Sequence, residues 1–152
     1  MIDIHNIHQV NQFLSRLEDV SPAAWGKMSP QNMIEHISAI MLFSNGRKTM
    51  PLLYPEDKAA ALKHYLIDTD NEFPMNFKAP LIGEEPLPYR FENLEVAKGI
   101  LTKEMENYFN FQESEKDAML MHPTLGLLDN REWTIFHNKH FAHHFKQFNL
   151  LD

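Results

Sequence analysis

Residues 129–148 read Asp-Asn-Arg-Glu-Trp-Thr-Ile-Phe-His-Asn-Lys-His-Phe-Ala-His-His-Phe-Lys-Gln-Phe, and the fold is decided by how this stretch is read. Asp129 and Glu132 stand three residues apart, the separation of a capping box in which each side chain satisfies the other's backbone N–H. No proline or glycine follows, so the spacing predicts a helix from Asn130 to about Phe148. Within it His140 and His144 are four residues apart, hence about 40° from superposition around the axis and about 6 Å apart along it. Two imidazoles so placed can converge on one ion, and this helix is expected to form one wall of a divalent-metal site.

Working outward, apolar residues recur at helical spacing in other stretches. Val10, Phe13, Leu14 and Leu17 predict an amphipathic helix from His8 to Asp19, ended by Ser21-Pro22. Residues 21–28 form a link whose Trp25 and Met28 are expected to pack inward. Ser29-Pro30 is a strong helix start, because serine can cap free N–H groups and proline is preset for the first turn. Met33, Ile34, Ile37, Ile40 and Met41, with Phe43 a further candidate, then supply a broad apolar face, which Asn45-Gly46 ends. A shorter helix is predicted over 56–67, on Ala59, Ala60, Leu62, Leu66 and Ile67. Asn93 can cap another helix running to about Asn110, with Val96, Ile100, Leu101, Met105 and Phe109 inward.

Two connections stand out. Residues 68–91 hold Pro74, Pro80, Pro86, Pro88 and Gly83, and are expected to form a long ordered loop packed by Phe73, Phe77, Leu81, Ile82 and Tyr89. Loops this long in a small domain often wall or cover a site. Residues 119–128, with His122-Pro123 and Gly126, read as a loop entering the last helix. The whole is an all-α chain: a four-helix bundle with one additional short helix and one long connecting loop, in a single domain spanning residues 1–152.

Composition narrows the function classes. The 152 residues carry 14 basic and 21 acidic side chains, a formal charge of -7, and no run of Lys and Arg, which argues against a nucleic-acid backbone reader. With no cysteine, a metal site must use imidazole, carboxylate or water. No segment reads as a secretory signal or a bilayer span, so a cytoplasmic protein with no membrane partner is expected.

A third metal ligand is sought on another helix, and His36 is the best candidate, about two turns past the Ser29 cap among Met33, Ile34 and Ile40. His36, His140 and His144 with water would make an open coordination sphere suited to zinc, nickel or iron. Each histidine alone is more often a surface or packing residue, and only the pair and the distant third together point to a metal. His137, three residues before His140, is open to a fourth-ligand, surface or supporting role, and His143 is rotated about 100° from His144. His122 is read as orienting its loop, with a proton-transfer role as the alternative. Gln147 can hydrogen-bond near the site or serve as an ordinary capping amide. Trp133 is first a packing residue that could also line the pocket. Glu35, adjacent to His36 and about 100° away around the helix, is not assigned as a base. No phosphate loop, Gly-x-Ser-x-Gly elbow or His-Glu-x-x-His arrangement is present.

These residues lead to a family. Trp25-Gly26-Lys27-Met28, then Gln31-Asn32-Met33-Ile34-Glu35-His36, then His122-Pro123-Thr124-Leu125-Gly126, and the ending His140-Phe141-Ala142-His143-His144-Phe145-Lys146-Gln147 resemble the DinB/YfiT-like superfamily of metalloenzymes. The match is nearest to its branch with Trp-Gly-Lys-Met and His-Pro-x-x-Gly segments. It spans most of the chain, with 46–80 least anchored. The resemblance implies an up-down-down-up four-helix bundle whose metal is held by His36, His140 and His144. Superfamily members include metal-dependent transferases that join low-molecular-weight thiols to electrophiles, and thiol-dependent isomerases. Many members have Arg-Gly after the adjacent histidines where this chain has Phe145-Lys146, so the ending supports the metal motif better than any particular thiol.

The expectation is a divalent-metal-dependent enzyme acting on a small-molecule substrate, with thiol S-transfer the leading reaction and a low-molecular-weight thiol as cosubstrate. Metal-dependent hydrolysis is the enzymatic alternative, and a non-catalytic small-molecule binding or stress-response module is the alternative of another class. The resemblance also makes a homodimer plausible.

Overall fold

A computed structural model describes residues 1–75, 77, 80, 83 and 85–152, and its architecture is predominantly helical. In chain order the elements are α1 (Ile7–Leu14), α2 (Pro30–Ser44), α3 (Glu56–Ile67), α4 (Leu94–Ser114), β1 (Met119–His122), β2 (Gly126–Asp129) and α5 (Asn130–Gln147). Helices α1, α2, α4 and α5 make the bundle around one continuous apolar core, and the short α3 packs against α5 and β2. Among the described residues, no helix is long and apolar enough to cross a membrane.

Local chemistry explains most of the boundaries. Ser29 accepts from the Asn32 backbone N–H at 3.1 Å while the Asn32 side chain accepts from the Ser29 N–H at 3.0 Å, and Pro30 opens α2. Asp129 and Glu132 close the same reciprocal box on α5, at 2.8 and 3.1 Å. Helix α4 runs one turn past the expected Asn110. Its buried face is Leu94, Ala97, Leu101, Met105 and Tyr108, and Val96, expected inside, is 40% exposed.

Helix α1 stops at Leu14, short of the expected Asp19. The Ser15 hydroxyl donates to the Gln12 carbonyl at 2.7 Å, and Arg16 and Leu17 N–H groups turn back to Phe13 and Leu14 carbonyls, so the chain tightens out of the helix. Leu17 is still fully buried, delivered by that turn rather than by helical periodicity.

The main difference is that 119–128, expected as a loop, forms with Asp129 an antiparallel hairpin in which Met119 faces Asp129 and His122 faces Gly126. Gly126 has φ +86°, a left-handed conformation that glycine adopts without steric cost, and it closes the turn after Pro123-Thr124-Leu125. His122-Pro123 and Gly126 thus mark a turn between strands. An isolated two-stranded hairpin is marginal in water. This one is held by the bundle: Leu125 and Leu128 enter the core, and Trp133 Nε1 donates to the Leu120 carbonyl at 3.2 Å.

The connection from 68 to 91 is pinned at its described residues. Lys139 Nζ donates to the Leu66, Thr69 and Asn71 carbonyls at 2.5, 2.7 and 2.7 Å, tying the end of α3 to α5. At the other end, the Arg90 N–H donates to Glu35 Oε1 at 2.6 Å, and Gln31 Nε2 donates to the Phe91 carbonyl at 2.9 Å. Phe73 and Phe77 are half-buried and meet edge to face, whereas Tyr89, expected to pack, is 55% exposed with its hydroxyl on Ser29 Oγ. Leu81 and Ile82 lie outside the described residues.

Candidate metal centre

Helix α2 carries His36 at its middle, and α5 carries His140 and His144 one turn apart. The packing of the two helices brings the three rings together. His36 Nε2 lies 2.9 Å from His140 Nε2, and His140 Nε2 lies 3.2 Å from His144 Nε2. All three ligand-capable nitrogens fall within 4.8 Å of one another, a cluster capable of coordinating a metal ion. Tetrahedral coordination with Zn–N bonds of 2.0–2.1 Å requires nitrogens about 3.3 Å apart, and the His36–His140 and His140–His144 separations lie within a few tenths of an ångström of that spacing.

Burial sets the protonation state. Loss of hydration pushes His36 down to about 4, with the nearby His143 adding to the effect. His140 and His144 are also held well below the ordinary imidazole range, first by burial and then by the other histidines. All three are neutral near pH 7, the form that offers a lone pair.

The orientation of His144 is traceable atom by atom. Its Nδ1 lies 2.8 Å from Gln147 Oε1, and Gln147 Nε2 donates to the Trp25 carbonyl at 3.1 Å. An amide that donates to Trp25 must present its oxygen to His144. His144 therefore carries its proton on Nδ1 and leaves Nε2 free to coordinate. The Ala24 N–H donates to the Gln147 carbonyl at 2.7 Å, clamping the same segment to the end of α5. Gly26 has φ +76°, and a Cβ there would meet Gln147 Nε2 at 3.0 Å. The glycine is thus needed both for its backbone conformation and for its close approach to the amide that orients His144. The glycine of Trp-Gly-Lys-Met was visible in the sequence; its partner, more than a hundred residues away, was not.

The remaining histidines separate by location. His137, for which surface, ligand and supporting roles were open, is fully buried and points away from the cluster. Its Nε2 bonds Ser44 Oγ at 2.7 Å and its ring stacks on Trp133. Because Ser44 donates its own hydrogen to the Met41 carbonyl, His137 is the donor in that bond, and burial pushes it down to about 3. Trp133 is buried against His137 and His122 and is not among the described residues that line the chamber beside the cluster.

His122 sits at the end of β1, where Nδ1 accepts from the Thr124 and Leu125 backbone N–H groups at 3.1 and 3.2 Å. Its proton is therefore on Nε2, a buried atom with no partner among the described residues. His143 lies on the chamber wall between Trp25 and Phe73. Glu35 faces the chamber too, but its oxygens are occupied by Gln31 and Arg90.

The cluster opens into a chamber of about 650 Å³, within the usual range for small-molecule sites. Its walls come from the 25–28 segment, α2, the stretch at 48–53, described residues of the connection between Phe73 and Arg90, the hairpin turn and α5. The long connection thus does form a wall, through Phe73, Met75, Phe77 and Leu87. Compared with known proteins, the chain matches no family model, no curated protein and no solved structure, so function is argued from this geometry.

Proposed function

We propose that the protein is a divalent-metal-dependent enzyme of the DinB/YfiT-like kind, its metal held by His36, His140 and His144. The observation that supports this most is the convergence of three neutral Nε2 atoms from two helices at the wall of a ligand-sized chamber. A bound zinc, nickel or iron ion would supply positive charge that favours the deprotonated form of a thiol or a water molecule. Gln147 holds His144 in the ligating tautomer, and Phe73 and Phe136 pack against the His140 ring.

Thiol S-transfer is the reaction favoured within this reading, with a low-molecular-weight thiol as cosubstrate; hydrolysis is the alternative. Product that carries the thiol sulfur supports transfer, whereas oxygen from labelled water in product formed without thiol supports hydrolysis. Neither product across a broad panel, with ligand affinity retained, leaves the non-catalytic binding module.

One observation favours a different reading of the cluster. His140 Nδ1 is buried without a partner among the described residues, which suits a proton on Nε2 shared between the rings. In that case the short N···N distances are imidazole–imidazole hydrogen bonds, and the cluster is a packing device. Elemental analysis of tag-free protein grown or reconstituted with several divalent metals separates the two. Near-stoichiometric metal in the parent, lost in the His140→Ala/His144→Ala double variant, is expected; no metal in the reconstituted parent overturns the metalloenzyme reading.

A further inference from the structure

Along α2 the chamber wall passes from imidazole to apolar side chains. His36, Ala39, Ile40 and Phe43 all line it from α2, at spacings of three, four and seven residues, and so form one helix face. From His36 to Phe43 that face runs about 10 Å. His137 on α5 bonds Ser44 on α2, which places the Phe43 end of the floor beside the α5 turn just before the cluster. There Phe136 meets the His122 ring at 4.3 Å, and the Leu53 N–H donates to the Pro123 carbonyl at 2.7 Å, so the hairpin closes that end.

Beyond His36 the α2 floor is therefore aliphatic and aromatic, and at the hairpin end the buried Thr124 has its Oγ1 3.3 Å from His122 Nδ1. The charged groups that face the chamber are engaged or in water: Lys27 pairs with Glu85 at 2.7 Å, Arg90 with Glu35, and Lys48 is exposed.

We propose that the chamber takes a small amphiphile, its polar head at the three histidines and an unbranched apolar tail lying along Ala39, Ile40 and Phe43 toward the hairpin. This rests on the metal-centre reading for the head group alone; the tail site is a property of the α2 face. A free polar thiol would leave that face wet. An alkyl chain covers it, each methylene contributing the ordinary gain of burial in an apolar site. Ile40 and Phe43 are then specificity-determining positions, and Ala39, the smallest of the three, leaves room for the chain to pass.

The test uses straight-chain 1-alkanols from ethanol to decanol, titrated into the full-length protein with methyl groups of isoleucine and methionine observed by NMR. Metal content is measured on the same samples. Affinity should tighten about four-fold per added methylene and level off once the tail reaches the hairpin end, with Ile40 among the resonances that move. Ile40→Asn should flatten the length dependence, and Ala39→Phe should make it level off at a shorter chain.

An affinity that does not rise with length, or shifts that leave Ile40 unmoved, overturns the inference. So does a gradient unchanged in both variants. A protein that holds no metal yet shows the gradient would overturn the metal reading and leave the tail site standing. A metal-loaded protein without the gradient would do the reverse.

Discussion

At the scale of single residues, the candidate centre depends on side chains that never approach an ion themselves. Gln147 fixes the tautomer of His144 and is itself fixed by the Trp25 carbonyl. Gln147→Ala should therefore weaken metal affinity about 10- to 100-fold with little change in fold, measured by competition against a chromophoric chelator. Gly26→Ala should act in the same direction, because it strains the backbone and pushes a Cβ onto the Gln147 amide. Both variants retaining parental affinity would show that His144 needs no such orientation. His137 should behave oppositely. His137→Ala leaves a cavity and strips Ser44 of its donor, costing on the order of 2–3 kcal/mol of stability in urea unfolding, while metal content stays at the parental level. Loss of metal at unchanged stability would instead place His137 among the ligands.

At the scale of elements, the hairpin and the long connection are held by the bundle more than by their own propensities. Gly126 alone holds the positive φ that closes the hairpin. Gly126→Ala should destabilise the protein by about 1–2 kcal/mol and loosen the chamber's far wall, seen as faster amide exchange at 119–129 than in α4. Lys139 is a clip: its ammonium is the common donor to three carbonyls at the end of α3 and beyond. Lys139→Met keeps the aliphatic stem and deletes the donor, so the 66–73 segment should become the first site of limited proteolysis. Unchanged cleavage would mean that Phe73 stacking holds the segment without the clip. The carboxylates of Glu35 and Glu104 do similar work. Glu104 binds Asn45 and Arg47 and fastens the end of α2 to α4.

At the scale of the whole molecule, four buried histidines and the half-buried His36 make stability sensitive to acid. Burial lowers His36, His122, His137, His140 and His144 in the folded chain, to about 4 for His36 and about 3 for His137. An imidazole lowered by folding contributes stability that is present above its unfolded value of 6.5 and is lost as pH falls toward the folded value. The unfolded chain takes up these protons first, so stability falls as pH drops below 6.5, by at most about 1.4 kcal/mol per pH unit for a single histidine such as His137. Urea unfolding of metal-free protein should therefore show a steep decline from pH 6.5 to pH 4, flattened in His137→Phe. A stability that stays level across that window would mean that these rings reach solvent.

Much of this was legible in the chain itself. The caps at Ser29, Asn93 and Asp129, and apolar spacing at three and four, depend on neighbours within one turn, so helices α2, α3, α4 and α5 follow from local chemistry, as does a face carrying His140 and His144 together. What the tertiary structure alone decided involves partners distant in sequence. Only packing of α2 on α5 could bring His36 within 2.9 Å of His140, send His137 to Ser44 instead, and bury Trp133 away from the chamber. Only the bundle surface could turn 119–129 into a hairpin, since four-residue strands cannot stabilise themselves. Helix caps and periodicity are short-range effects written into adjacent residues. The chamber, and the hand that Trp25 and Gly26 lend to His144, arise from burial and hydrogen bonds between segments that meet only when the core forms.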